Sequence, residues 1–399
     1  MVLVLKNFEI MLQESVPDLE KVLSIGSIIG EGTFSTVYKG KLLPEYQVPG
    51  KNFDLAIKCI TPVVEPQMLE NELKCLTLLN GEHNVIKLLF ATRHYGRLCL
   101  VMPFYDYEKF NRLVRRFNAK SLKEYMRQLL IAVNHIHQHQ IIHRDIKPNN
   151  FLYSSRTKHC ALVDFGLAQT VDQCNASVKQ KTDPEMRLPL EDLTIMNVND
   201  CNSNSRLSLC DKPKKRKSQE LINAKRCNCY GHARVCRECI GTPAMVASRS
   251  GTAGYRPPEV LLKCQEQTTA VDMWACGIIL LSILSGRSNF FNAPDDLKNL
   301  MQLISLFGKE AVCQAATALG KNLIVDLQSK EKPASLKEVC ESLRASCKIH
   351  SAKSTKQDAI AFPDSAYDLL NKLLALVPST RISAAEALRH PFLQVATDS

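Results

Sequence analysis

The sequence predicts an α+β protein in which strands come first and helices dominate later, and three observations carry that reading. Residues 22 to 60 alternate apolar and polar positions between turn residues, as strands do. Residues 67 to 79 and 121 to 139 place apolar side chains at three- and four-residue spacing, the period of a helix. That helical period returns at 255 to 307 and at 364 to 393.

Composition sets the limits. With 399 residues, 45% of them hydrophobic, the chain can bury a sizeable core. Such a length fits two or three compact units, or a two-lobed enzyme of about 280 residues with insertions. Only 16 Gly and 18 Pro exclude a collagen. The longest apolar run, near Ala275 to Leu284, is half of the roughly 20 residues a membrane span needs, so it reads as a buried helix and no membrane partner is expected. The net charge of +11 favours acidic partners, depending on where it lies. Of the 16 cysteines, Cys59, Cys75, Cys99, Cys160, Cys264 and Cys313 are scattered singly, as small buried side chains are. Met1 to Ile10 lacks the basic start, apolar run and small-residue site of a secretory signal.

The pattern breaks at 167 to 226, which holds no Phe, Tyr or Trp and is rich in Asn, Ser, Lys and Asp; it is expected to be mostly disordered. A Ser/Lys/Ala stretch near 344 to 358 reads as a second, shorter surface insertion. No internal repeat is visible.

The chemistry sits in short motifs. Ile29-Gly30-Glu31-Gly32-Thr33-Phe34-Ser35-Thr36-Val37 joins two strand-like runs, and glycines at 30 and 32 let backbone N–H groups come close to a polyphosphate. A glycine hairpin without a ligand is the bland alternative, and Ser35 stands where a third glycine is usual. In Ala56-Ile57-Lys58 a lysine projecting from a sheet can neutralise phosphate oxygens if a carboxylate holds it; Glu72 is the natural holder and Glu70 its competitor. Then come His143-Arg144-Asp145-Ile146-Lys147-Pro148-Asn149-Asn150 and Asp164-Phe165-Gly166. Phosphoryl transfer needs a carboxylate to orient the attacking hydroxyl, oxygen ligands for magnesium and positive charge on the phosphates. Asp145, then Asn150 with Asp164, then Lys58 with Lys147 supply those parts.

With these motifs the chain resembles the eukaryotic serine/threonine protein kinase family from about 20 to 393. The resemblance implies a two-lobed fold with ATP and Mg2+ in the cleft: an extension at 1–20, a small sheet-rich lobe at 21–102, and a larger helical lobe at 103–166 and 251–393. An activation-segment insertion at 167–250 and a tail at 394–399 complete the division. Met102 and Phe104 fall at the hinge, with Ala56, Val37 and Leu152 around the adenine, and Thr252 resembles the threonine that bonds the catalytic Asp and Lys. Asp272-Met273-Trp274-Ala275-Cys276-Gly277 matches the buried helix of the family. Arg256-Pro257-Pro258-Glu259 stands where Ala-Pro-Glu is usual; its Glu259 can pair with Arg381.

From Leu167 to Arg256 the segment runs 90 residues (256 − 167 + 1), longer than the family's. Within it, Cys227, Cys229, Cys236 and Cys239 form a C-x-C and a C-x-x-C across thirteen residues, a thiolate set suited to tetrahedral zinc at 227–239. His232 could replace one sulfur, and two loose thiol pairs are the alternative. Lys212-Pro213-Lys214-Lys215-Arg216-Lys217 can serve nuclear import or be a solvated loop; without interleaved aromatics, direct nucleic-acid binding is not expected.

Gly30 to Tyr38, His143 to Tyr153, Ala161 to Gln169, Thr268 to Trp274 and the Cys-rich insertion together resemble the cell division cycle seven kinases. That resemblance implies a nuclear location, substrates in the replicative minichromosome maintenance helicase, a preference for acidic flanks and dependence on an activator-of-S-phase-kinase regulatory subunit. The insertions here are shorter than theirs. Arg234, Arg237, Arg249 and Arg256 border the expected substrate groove, where guanidinium groups can grip an acidic flank. The competing readings are an autonomous casein-kinase-one-like enzyme, a pseudokinase scaffold and a zinc-dependent nucleic-acid-binding protein.

Overall fold

A computed structural model describes residues 21–32, 35–47, 54–61, 64, 66–94, 97–171, 192–194, 251–325, 333–349 and 361–394. Strands β1 (Leu23–Glu31), β2 (Ser35–Leu42), β3 (Asp54–Ile60), β4 (Phe90–His94) and β5 (Arg97–Pro103) form an antiparallel sheet in the order β1-β2-β3-β5-β4. Helix α1 (Pro66–Leu79) follows β3. Alternation along β3 and β5 separates two faces. Leu55, Ile57, Cys99 and Val101 bury one face with Val22 and Leu23. Ile60, Leu100 and Met102 turn the other way and pack into the main core with Cys75, Leu76 and Leu79 of α1. Lys58, two positions from Ile60, therefore also faces α1.

The larger lobe is helical. Helix α2 (Ala119–Gln138) starts at Asn118, whose side chain accepts from the Ser121 N–H while the Ser121 hydroxyl accepts from the Asn118 N–H. This reciprocal cap satisfies two of the donors a helix start leaves over. Helix α3 (Ala270–Ser285) is buried at every position from Val271 to Ser285. The apolar run singled out in the sequence is thus the centre of this lobe. Around it lie α4 (Asp296–Phe307), α5 (Lys309–Ala318), α6 (Leu336–Ile349) and α7 (Asp364–Leu373). A Cβ on Gly277 of α3 would stand 2.5 Å from Leu374 Cδ2, so only glycine admits the chain end of α7 this closely. Short helical turns at Phe110–Leu113, Pro258–Leu261 and Ala384–Leu388 complete the α-helical set among the described residues. No helix among them is long and apolar enough to cross a membrane.

Three small strand pairings complete the sheet structure among the described residues. Strand β6 (Ile141–Ile142) pairs with β9 (Gln169–Thr170), and β7 (Phe151–Tyr153) with β8 (Cys160–Leu162). Within the stretch expected to be mostly disordered, β10 (Asp192–Thr194) pairs in parallel with β11 (Asn322–Ile324). The cysteine group at 227–239, the basic run at 212–217 and the rest of 172–191 and 195–250 lie outside the described residues, as do Thr33, Phe34, 1–20 and 395–399.

The second insertion is corrected at its start. Residues 344 to 349 are the last turns of α6, because the Arg344 guanidinium donates to the Leu284 carbonyl (3.0 Å) and lies over the Phe362 ring at 4.7 Å. Those tertiary anchors override the loop-like composition; 351 to 358 lie outside the described residues. The singly scattered cysteines behave as small hydrophobes: burial pushes the thiols of Cys75 and Cys264 up to about 11 and those of Cys160 and Cys340 up to about 12. Such thiols are inert at neutral pH.

Candidate active site

Between the lobes lies a cleft of about 760 Å³ lined by residues of both. Its roof is the β1–β2 hairpin, in which Gly30 pairs with Val37 and the Gly32 N–H donates to the Ser35 carbonyl at 2.8 Å. Ile29, Gly30, Glu31, Gly32, Ser35 and Val37 line the cleft. Thr36 does not. It sits between Ser35 and Val37 on β2, and strand alternation turns its side chain to the opposite face. Ala56, Met102, Phe104 and Leu152 line the cleft too. Leu76, Ile86 and Val163 also line it; nothing in their local sequence marks them, because only the lobe packing brings them there.

One ion-pair cluster holds the back of the cleft. Lys58 Nζ donates to Glu72 Oε1 at 2.7 Å and to Asp164 Oδ1 at 2.8 Å. Burial disfavours the ammonium, yet the charges of Glu72 and Asp164 outweigh it and raise Lys58 to about 12. Burial likewise opposes the Asp164 carboxylate, and Lys58, with His143 and Lys147, still holds it below the ordinary carboxylate range. Both groups are therefore charged at neutral pH. Glu70 is paired elsewhere, with Lys74 one turn on at 2.5 Å, which leaves Glu72 as the holder of Lys58.

A second cluster surrounds Asp145. Its Oδ1 accepts from the Thr252 hydroxyl (2.6 Å) and the Thr252 N–H (3.0 Å), and its Oδ2 from Lys147 Nζ (2.7 Å) and Asn150 Nδ2 (3.0 Å). Lys147 Nζ also donates to the Thr252 hydroxyl oxygen at 2.8 Å. The Asn150 amide nitrogen also donates to the Asp145 backbone carbonyl (2.9 Å), leaving its oxygen as the atom that can ligate a cation. The Val163 N–H donates to the Asn150 carbonyl at 2.8 Å, so Asn150 and Asp164 are set side by side at the base of the β7–β8 hairpin.

Buried supports fix this loop. Asp272, fully buried on α3, accepts the His143 N–H at 2.8 Å, the Arg144 N–H at 2.9 Å and the His137 ring at 3.0 Å. Arg144 and Asp164 both hold left-handed backbone, φ +67° and +69°, a strain of about 1–3 kcal/mol each that such contacts sustain. The Arg144 guanidinium also donates to Gln267 Oε1 at 2.8 Å. Gly251, at φ +104°, lies so close that a Cβ would meet the Arg144 carbonyl at 2.6 Å. Glu259 and Arg381 form the expected pair, doubly bonded at 2.8 and 3.1 Å.

Arg256 is corrected. Its guanidinium bonds Asp296 Oδ1 at 2.5 Å and the Gly251 carbonyl at 2.6 and 3.0 Å, so it braces the segment beside Thr252 instead of reaching into the groove. Arg234, Arg237 and Arg249 lie outside the described residues.

A sheet-rich lobe over a helical lobe, with a lysine–glutamate pair, a positioned aspartate and an Asn/Asp oxygen set facing one cleft, defines a protein kinase. The protein kinase domain pattern matches residues 23–186 and 228–393, leaving 187–227 as inserted sequence. The chain is 32% identical to the cell division cycle 7-related protein kinase of Mus musculus, over 96% of this chain and 92% of that one. It is 31% identical to its Homo sapiens counterpart, over 96% and 91%. To the cell cycle serine/threonine-protein kinase hsk1 of Schizosaccharomyces pombe it is 32% identical, over 96% and 73%. The chain belongs to the protein kinase family, among the cell division cycle 7-related serine/threonine kinases. It is accordingly an ATP- and Mg2+-using enzyme that phosphorylates proteins in cell-cycle control. The mouse alignment spans 524 positions against 399 residues here, so the relative carries sequence this chain lacks.

Proposed function

We propose that this kinase phosphorylates Ser or Thr beside acidic residues, on the replicative minichromosome maintenance helicase, in the nucleus and under control of an activator-of-S-phase-kinase regulatory subunit. The observation that carries the catalytic half is the two hydrogen-bonded clusters, Lys58–Glu72–Asp164 and Asp145–Lys147–Thr252, facing one cleft. Asp145 accepts the proton of the substrate hydroxyl and orients its oxygen. Lys58, held by Glu72, positions the phosphates, and Lys147 stabilises charge on the group in transfer. The glycine loop from Ile29 to Val37 covers the phosphates.

The donor set fits magnesium: a carboxylate (Asp164) and an amide oxygen (Asn150) are hard oxygen ligands held side by side. Bound magnesium would neutralise phosphate charge. The thiolates of Cys227, Cys229, Cys236 and Cys239 are a donor set for structural zinc, ordering part of the insertion. The remaining arginines of that insertion and the net charge of +11 support the acidic preference. The basic run 212–217 supports the nuclear location.

The test is ATP-dependent phosphorylation of a Ser peptide flanked by Asp or Glu, against the same peptide flanked by Ala, with and without the regulatory subunit. Activity that appears with the subunit and falls at least tenfold on the Ala peptide is expected. Equal activity without the subunit would favour an autonomous enzyme, and silence on every peptide a scaffold.

A further inference from the structure

The loop leaving α1 is built around histidines that the phosphoryl-transfer reaction does not use. Glu82, His83 and His135 each offer one ligating atom, and these atoms lie within 4.8 Å of one another. His135 projects from α2 and is 6% exposed, whereas Glu82 and His83 reach it from the loop after α1 and are exposed. The His83 and His135 rings stack at 4.6 Å, and His139, one turn on, meets His135 edge-on at 4.7 Å. We propose that Glu82, His83 and His135 form a binding site for a zinc-class divalent cation that ties the loop after α1 to α2.

Two imidazoles and a carboxylate are a donor set that zinc takes with a fourth position left for water. A tetrahedral ion with bonds of about 2.0–2.1 Å has ligand atoms about 3.4 Å apart. The three atoms must therefore close by at most about 1.4 Å, and the two exposed side chains can do this by rotation while buried His135 stays. The Nε2 of His135 faces the Leu79 carbonyl at 3.5 Å. A carbonyl on one ring nitrogen is how proteins orient the other toward a metal.

The loop itself is held ready. Asn80, Gly81, His83 and Asn84 all have φ between +49° and +72°, so three of the left-handed residues are not glycine. Strain of this kind persists only where surrounding contacts impose it, and it gathers at binding sites. The contacts are visible: the Asn84 side chain donates to the Gln128 carbonyl (3.0 Å) and side chain (2.7 Å) on α2, and the Asn84 carbonyl accepts the Leu162 N–H at 2.7 Å. The loop thus presents Glu82 and His83 to the helix face that carries His135. Because α1 also carries Glu72, a cation here would fix the end of the helix that positions Lys58.

The experiment uses the full chain, stripped with a chelator and titrated with zinc against a chromogenic chelator. The wild type is expected to take up one zinc equivalent more than His83→Asn, a change that keeps a residue able to hold φ +50°. Counting the difference makes the result independent of any zinc on the cysteines of the insertion. Glu82→Gln should keep the equivalent with affinity weakened about tenfold or more, and it decides the matter if His83→Asn fails to fold. Zinc should also slow hydrogen exchange of backbone amides 80–86 in the wild type and not in His83→Asn. Zinc uptake by His83→Asn equal to that of the wild type, wild-type zinc affinity in Glu82→Gln, or the same exchange protection with magnesium as with zinc, would overturn the site.

Discussion

Two ion pairs of similar chemistry sit in this molecule, and their surroundings give them different work. Glu259 and Arg381 are 2% and 0% exposed, and Arg381 also donates to the Ala270 carbonyl at 2.6 Å and lies over the Trp274 ring at 5.1 Å. Every polar end is committed. Lys58 is held by Glu72 in a similar way, but its second partner, Asp164, is 45% exposed toward the cleft. One pair is closed and holds the large lobe together; the other has an open side where a ligand's charges can join it. Burial of a pair is thus a sign of structure, and an opening beside a pair is a sign of chemistry.

The largest expected effect is at the open cluster. Asp145→Asn should lower kcat by about 10²–10⁴-fold, and Lys58→Arg should also abolish turnover, with circular dichroism and thermal midpoint close to wild type. Normal turnover in either variant would break the comparison at its functional end. Next comes the closed pair. Arg381→Ala strands a buried carboxylate and should cost about 3–5 kcal/mol in denaturant unfolding, while KM for ATP per folded molecule stays the same. A cost near zero would mean that Glu259 finds another partner.

The pH dependence sharpens the contrast. Lys58 is raised to about 12, so its contribution is fully present below its ordinary value and is lost only as pH climbs through about 12. Asp272 runs the other way. Burial opposes its charge, but His137 and His143 outweigh that and hold it below the ordinary carboxylate value. Its contribution is present above that ordinary value and disappears as pH falls through the lower folded one. The thermal-midpoint gap between wild type and Asp272→Asn should therefore begin to close as pH falls below about 4. A gap independent of pH would show that Asp272 acts through shape alone. The smallest effect is on the surface of α1: Glu70→Gln, at an exposed pair with Lys74, should leave both kcat and the thermal midpoint unchanged.

Much of the site was legible because phosphoryl transfer fixes residue types at short spacings. Asp145, Lys147 and Asn150 lie within six positions, and an apolar strand-like run leads directly into Asp164. The buried helix at Ala270–Ser285 was legible from its unbroken apolar run. What stayed hidden depends on partners distant in sequence. Arg256 reads as a groove residue until Asp296, forty positions away, is seen to hold it. The bond from Arg144 to Gln267 leaves no local trace, since its two ends are 123 positions apart. Residues 344 to 349 read as part of a surface insertion because the contacts of Arg344 with Leu284 and Phe362 leave no mark in the local composition. Thr36 was grouped with its neighbours because a motif is counted by position, while a strand sorts residues by face.

The pair of Glu259 and Arg381 also has a consequence in time. Its members are 122 residues apart in the chain, so at about 5–20 residues per second the ribosome needs roughly 6–24 s to deliver the arginine after the glutamate. During that interval the helix start at Pro258–Leu261 holds an acid with no cation, and the large lobe cannot close around it. Arrested nascent chains ending before residue 381 should be cut quickly by protease in the 251–285 region, and chains extended well past it should resist. The order of synthesis thus makes the large lobe the last part of the kinase to become native.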